Sequence, residues 1–216
     1  MLSYWRKLHW TVRLKCLLWP LLLLPLARLA VAAWHDIHHG SLWLSANPIE
    51  FILRSTGTWA LTFLLCTLAV TPLRQLLQRP ELLRIRRLLG LFAFFYACLH
   101  LGTYLWLDQG WDWMGMLKDV WKRPFITVGM TAWLLLLPLA ATSTRWAMRK
   151  LGRRWQSLHR LAYLAPALGV LHYWWLVKAD YRTPLLFGLS LLLLLGWRVW
   201  RKQQASAAPA QVARQR

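Results

Sequence analysis

Six stretches of this chain are apolar for about the length a helix needs to cross a bilayer: Leu14–Ala33, Gly57–Leu73, Leu88–Leu107, Phe125–Ala141, Leu158–Val177 and Pro184–Trp200. A spanning helix takes ~20 mostly apolar residues at a rise of ~1.5 Å each. Runs such as Leu21–Leu24, Leu134–Leu137 and Leu191–Leu195 reinforce the reading. The chain is 58% hydrophobic and only 16% charged, against roughly 25% charged for a soluble domain. Backbone inside hydrocarbon must satisfy its own polar groups, which a helix does and a loop does not. The expected fold is therefore an all-α integral membrane protein, a six-transmembrane-helix bundle over residues 14–202. Residues 1–13 read as a cytoplasmic segment and 203–216, small and polar, as a disordered cytoplasmic tail.

A net charge of +20 would suggest nucleic acid if the basic residues shared one soluble face, but they lie in clusters between the apolar runs, and no nucleic-acid partner is expected. Nineteen Lys and Arg fall in the N-terminal segment, the second–third and fourth–fifth connections and the C-terminal end; six fall on the other side. Basic residues are retained on the cytoplasmic side, so both termini are expected inside. Tryptophans cluster near both sets of borders, as an interfacial belt does. The N-terminus has a basic start and a long apolar run without a clear small-residue cleavage site, and reads as an uncleaved first helix.

Histidine is scarce inside membranes, and an intramembrane histidine is a functional hypothesis by default. His100 lies thirteen residues past Arg87 on the third stretch, roughly 20 Å in. His172 lies at about the same depth on the fifth, which runs the same way, so both belong to the outer half. Two histidines facing each other across a bundle are the usual axial pair of a non-covalent b-type haem. His159 precedes His172 by thirteen residues, a rise of ~19.5 Å but with the rings about 140° apart on an ideal helix. Pro166 between them is a place where the helix can kink and bring them round. The third stretch has Arg86 and Arg87, not histidine, at the level of His159. One bis-histidine haem is expected, with His159 open as a ligand of a second. Arg86, Arg87, Arg154 and Arg160 are candidates for haem propionates, a flavin phosphate or anionic lipid.

His35, His38 and His39 read as a solvated outer loop, since no fourth ligand completes a metal site. Cys16, Cys66 and Cys98 lack metal-site or redox spacing, and there is no C-x-x-C-H for covalent haem. No G-x-G-x-x-G or G-x-x-x-x-G-K-[ST] run is present, so an electron donor and a final acceptor must be reached elsewhere. The other readings are a self-contained ferric or quinone reductase, and a transporter or assembly protein whose histidines relay protons.

Several segments together resemble the MsrQ (formerly YedZ) family: Asn47-Pro48, Gly57-Thr58-Trp59-Ala60-Leu61, Leu68-Ala69-Val70-Thr71-Pro72-Leu73-Arg74, Arg86-Arg87-Leu88-Leu89-Gly90-Leu91, Tyr96-Ala97 with Leu99-His100, Lys122-Arg123-Pro124-Phe125-Ile126-Thr127-Val128-Gly129 and Leu158-His159-Arg160-Leu161-Ala162-Tyr163. The resemblance covers residues 8–202. It implies a ferric-reductase-like haem-binding domain in the bacterial inner membrane. Electrons would pass from the quinone pool or a cytosolic flavin reductase, through haem b and FMN, to MsrP. That partner is a periplasmic molybdopterin enzyme that reduces methionine sulfoxide. It also implies that His100, His159 and His172 are the family's haem histidines. No FMN motif is legible in these residues.

Overall fold

The structure is a computed structural model and describes residues 10–214. Within them every regular element is helical: α1 (Trp10–His39), α2 (Pro48–Leu76), a single 3₁₀ turn (Pro80–Leu82), α3 (Leu83–Thr103) running into a π-helical turn (Tyr104–Asp108), α4 (Trp113–Lys122), α5 (Pro124–Ala141), α6 (Arg145–Leu151), α7 (Arg153–Leu158), α8 (Leu161–Leu176) and α9 (Arg182–Arg214).

The boundaries follow local chemistry. Asn47 caps α2, its side chain accepting from Glu50 N at 3.2 Å and donating to the Glu50 carboxylate, with Pro48 in the first turn where its missing N–H costs nothing. Asp112 and Thr144 cap α4 and α6 in the same way. Gly152, at φ +50, turns the chain between α6 and α7. Asp36 closes the connection after α1, accepting from Ser41 Oγ and from the N–H groups of Trp43 and Leu44.

The two most closely packed pairs are α2 with α3 and α5 with α8. Contacts of α3 with α5 and of α2 with α8 join them into a four-helix unit. Helix α1 packs against α3 and α2, and α9 against α8 and α2. Ala93 and Tyr96 are fully buried among Phe63, Phe92 and Leu22. The outward faces are apolar: Leu17, Leu21 and Leu24 on α1 and Leu189, Leu192 and Leu193 on α9 are exposed. That arrangement suits hydrocarbon and not water.

Five segments are long and apolar enough to cross a membrane: Leu14–His39, Pro48–Leu76, Pro80–Asp108, Pro124–Ala141 and Arg182–Ala205. By length and composition these helices suit a multi-pass membrane protein. The sixth expected span, Leu158–Val177, differs. Its helix α8 has only 16 residues, because the chain turns at His159 and Arg160 after the separate short helix α7. Two further expectations are corrected. His35, His38 and His39 are not in a loop but end α1, where His35 stacks on Trp43 with ring centroids 4.1 Å apart. The stretch after Lys202 continues α9 to Arg214; its Gln and Ala are strong helix formers extending an existing helix, which avoids the cost of nucleation. Residues 1–9, part of the expected N-terminal segment, lie outside the described residues.

Helix α1 carries Pro20 and Pro25, and Tyr96 of α3 supports it there. The Tyr96 hydroxyl donates to Leu22 O at 2.9 Å and accepts from Leu26 N–H at 3.1 Å, the two groups that an ideal helix would join. Losing the hydroxyl leaves two backbone groups short of a partner away from water, at about 1–3 kcal/mol. Tyr96→Phe is therefore expected to lower the thermal unfolding midpoint of the purified protein, while Phe95→Tyr, at a more exposed position, leaves it nearly unchanged.

Candidate haem site between two histidines

His100 is on the last turns of α3 and His172 on those of α8. They meet in the middle of the four-helix unit, ring centroids 6.1 Å apart and planes at 81°. Each ring is seated the same way. His100 Nδ1–H donates to Leu53 O of α2 at 2.9 Å, and His172 Nδ1–H donates to Phe125 O of α5 at 2.6 Å. A carbonyl oxygen can only accept, so both Nδ1 atoms carry the proton and both Nε2 atoms keep a free lone pair.

The facing helix makes room for each ring with a glycine four residues after the accepting carbonyl. A Cβ on Gly57 would lie 3.0 Å from His100 Nδ1, and one on Gly129 would lie 2.7 Å from His172 Nδ1. The spacing from carbonyl to histidine is 47 residues in both halves. The α2–α3 and α5–α8 pairs are thus two copies of one half-site, displaced by 72 residues (125 minus 53, and 172 minus 100). A 72-residue offset is longer than the repeat periods that sequence patterns usually reveal, and only the two glycines and two histidines mark it.

The rings line a cavity of about 540 Å³. Its walls are mostly apolar, with Leu61, Leu64, Ala97 and Leu136 among them. Its charged lining residues come from the first turns of α2 (Glu50, Arg54), the end of the π-helical turn (Asp108) and the residue before α5 (Arg123). Arg54 pairs with Glu50 at 2.7 Å and Arg123 with Asp119 at 3.3 Å. Arg54 is not a candidate in the sequence, and Arg123 stands there only among the basic residues of an outer connection; neither is marked by the sequence as lining a cavity.

The other candidates are elsewhere. His159 is not on the helix of His172; it caps α7. Its Nε2 is 3.0 Å from Thr142 Oγ1, and its ring stacks on Trp155 at 3.9 Å. Pro166 therefore does not bring the two rings to one face, because the helix begins only after His159. Arg86, Arg87, Arg154 and Arg160 do not line the cavity. Arg86 and His159 are within electrostatic reach of each other at the opposite end of the bundle, and Arg87, Arg154 and Arg160 are exposed there. Among the described residues no three His, Cys, Asp or Glu side chains cluster as a metal site, so any metal here depends on a group that brings its own further ligands.

An imidazole nitrogen sits about 2 Å from a first-row metal ion and roughly 1.1 Å from its own ring centroid. Two imidazoles on opposite sides of one iron thus place their centroids about 6 Å apart. The 6.1 Å separation, the two free Nε2 atoms and the apolar cavity fit a bis-histidine haem.

Comparison with known proteins agrees with this class. Residues 56–170 match the family model of the ferric reductase like transmembrane component, a segment that runs from the turn before Gly57 almost to His172. Over most of its length the chain is also similar to proteins named protein-methionine-sulfoxide reductase heme-binding subunit MsrQ. The one from Bordetella pertussis is 54% identical over 199 residues, covering 90% of this chain and 94% of its own. That of Xanthomonas campestris is 53% identical over 188 residues, covering 87% and 86%. That of Herminiimonas arsenicoxydans is 53% identical over 203 residues, covering 91% and 90%. The chain belongs to the MsrQ family, within the ferric-reductase-like membrane proteins.

The glycine contacts make a testable distinction. Gly129→Ala is expected to push the His172 ring off Phe125 O, because the new Cβ would meet ring atoms at 2.7 Å. Gly57→Ala, at 3.0 Å, is expected to disturb His100 less. Nitrogen-15 spectra of histidine-labelled protein report this as a loss of the protonated Nδ1 signal, larger for Gly129→Ala.

Proposed function

We propose that this chain is a membrane b-type cytochrome with His100 and His172 as the axial ligands of one haem iron. The observation that carries the reading is the pair of imidazoles 6.1 Å apart, each fixed through Nδ1 and both lining the same cavity. When bound there, haem supplies a one-electron carrier that cycles between ferric and ferrous iron. The protein's part is to hold and insulate. Leu53 O and Phe125 O fix tautomer and ring orientation and raise the basicity of each ligand. Leu61, Leu64, Ala97 and Leu136 keep water out, and Arg54 and Arg123 are the guanidinium groups at the cavity mouth. His159 is the candidate ligand for a second haem, and it would have to give up Thr142 to serve.

In this reading the protein is the electron-transfer subunit of a methionine sulfoxide reductase system. The relatives carry that system in their names. Electrons would come from the quinone pool or a cytosolic flavin reductase and leave for the periplasmic molybdopterin reductase MsrP, with FMN as a second cofactor on family resemblance. The cavity mouth, at the end of the 34–56 and 108–123 connections, is the natural exit. Residues 14–202 form the membrane domain, placed in the inner membrane with six crossings, α8 completing the sixth, and both termini in the cytoplasm. The uneven distribution of Lys and Arg supports this orientation.

Removing an iron ligand should cost at least what removal of its supporting hydrogen bond does, roughly 10–100-fold in affinity. His100→Ala and His172→Ala are expected to strip most haem from the purified protein, measured by reduced-minus-oxidised absorbance. His159→Ala is expected to leave the signal of the His100–His172 pair in place. Full haem content and an unchanged spectrum in both His100 and His172 variants would overturn the assignment. For the orientation, a reporter fused after Lys202 should be active in the cytoplasm and one inserted at Gly110 active outside; an external C-terminus would remove a crossing.

A further inference from the structure

We propose that the end of the bundle opposite the cavity mouth holds a binding site for one phosphate group, gripped by the guanidinium groups of Arg86 and Arg198. The packing register of α2 on α3 puts these groups together. Gly57 meets His100, and ten residues further along each helix Thr67 meets Gly90. Continuing four residues on both helices brings Thr71 opposite Arg86, fourteen residues or about 21 Å from the histidine level. Arg198 of α9 reaches the same point, donating from Nη2 to Thr71 Oγ1 at 2.8 Å. Its guanidinium also lies over the Tyr163 ring of α8, 4.5 Å from the centroid. Arg86 is within electrostatic reach of both Arg198 and His159.

Arg198 is thus not a solvated cation extended toward headgroups. Helices α2 and α8 hold it in place, half-buried, beside a second half-buried guanidinium. Bringing two such charges together is unfavourable unless an anion sits between them. The ion pairs Arg54–Glu50 and Arg123–Asp119 lie at the other end of the bundle. The one carboxylate on this side, Glu81, has its Oε2 buried without a hydrogen-bond partner. Two planar guanidinium forks at one level of the bundle suit the tetrahedral oxygens of a phosphate. A phospholipid headgroup and a soluble phosphate ester present the same oxygens. Four candidate arginines of the sequence reading thereby reduce to Arg86, joined by Arg198, which that reading did not select; Arg87, Arg154 and Arg160 face solvent.

The site does not depend on the haem reading and is tested apart from it. Full-length protein purified in detergent and stripped of lipid is titrated in two arms, one with phosphatidylglycerol and one with glycerol 3-phosphate. Binding is followed by native mass spectrometry and by the shift in thermal unfolding midpoint. Wild type is expected to bind one equivalent saturably in at least one arm, and R86Q and R198Q each to weaken it roughly tenfold. R87Q, one residue away and exposed, should bind as wild type does. R198K separates a lost fork from a lost fold: it should remain folded and bind weakly. Saturation only with the lipid identifies a headgroup site, and saturation only with the soluble ester identifies a cofactor or metabolite phosphate. Absence of saturable binding in both arms, or equal binding by wild type, R86Q and R198Q, would overturn the proposal.

Discussion

The site rests on two hydrogen bonds from histidine Nδ1 to a main-chain carbonyl of the facing helix, at Leu53 and Phe125. Each carbonyl leaves its histidine only one tautomer and one orientation, with Nε2 toward the cavity. Each bond exists only because Gly57 and Gly129 let the ring approach the helix backbone. The tight packing of α2 on α3 and of α5 on α8 and the cavity between the two pairs go with that approach. Of the remaining helices, α1 and α9 flank the unit, and Tyr96 ties the first of them to the centre through the α1 backbone.

The same construction is used twice along the chain, and its two halves differ at the other end of the bundle. In the α5–α8 half Thr142, thirteen residues past Gly129, meets His159, thirteen residues before His172. The equivalent positions of the α2–α3 half are Val70 and Arg87. One level of the bundle therefore carries two imidazoles, and the other carries one imidazole with arginines around it. That asymmetry gives the bundle an end with paired imidazoles and a cationic end, some 20 Å apart along its axis.

Much of this was legible in the sequence because it depends on properties a one-dimensional pattern carries. Apolar length gave the membrane helices, and residue counts from the basic clusters put His100 and His172 at one level. Contacts between helices were not legible. Nothing local marks Leu53 or Phe125 as acceptors, and Gly57 and Gly129 read as ordinary small residues until the facing helix is known. An apolar stretch does not reveal a turn inside itself, so the sequence alone puts His159 and His172 on one helix. The structure breaks the helix at His159–Arg160, leaving α8 at 16 residues. The sequence groups arginines by their number near one border, whereas the cavity is lined by Arg54 and Arg123.

The central claim is that one iron lies between His100 and His172 with the ring planes as they stand. Electron paramagnetic resonance of the oxidised, purified protein tests it most directly, because axial imidazole orientation controls the anisotropy of a low-spin ferric haem. Planes at 81° predict a highly anisotropic low-spin signal, shifted toward the usual rhombic form by Gly129→Ala. A high-spin signal, or a rhombic low-spin signal unaffected by that substitution, would contradict the account.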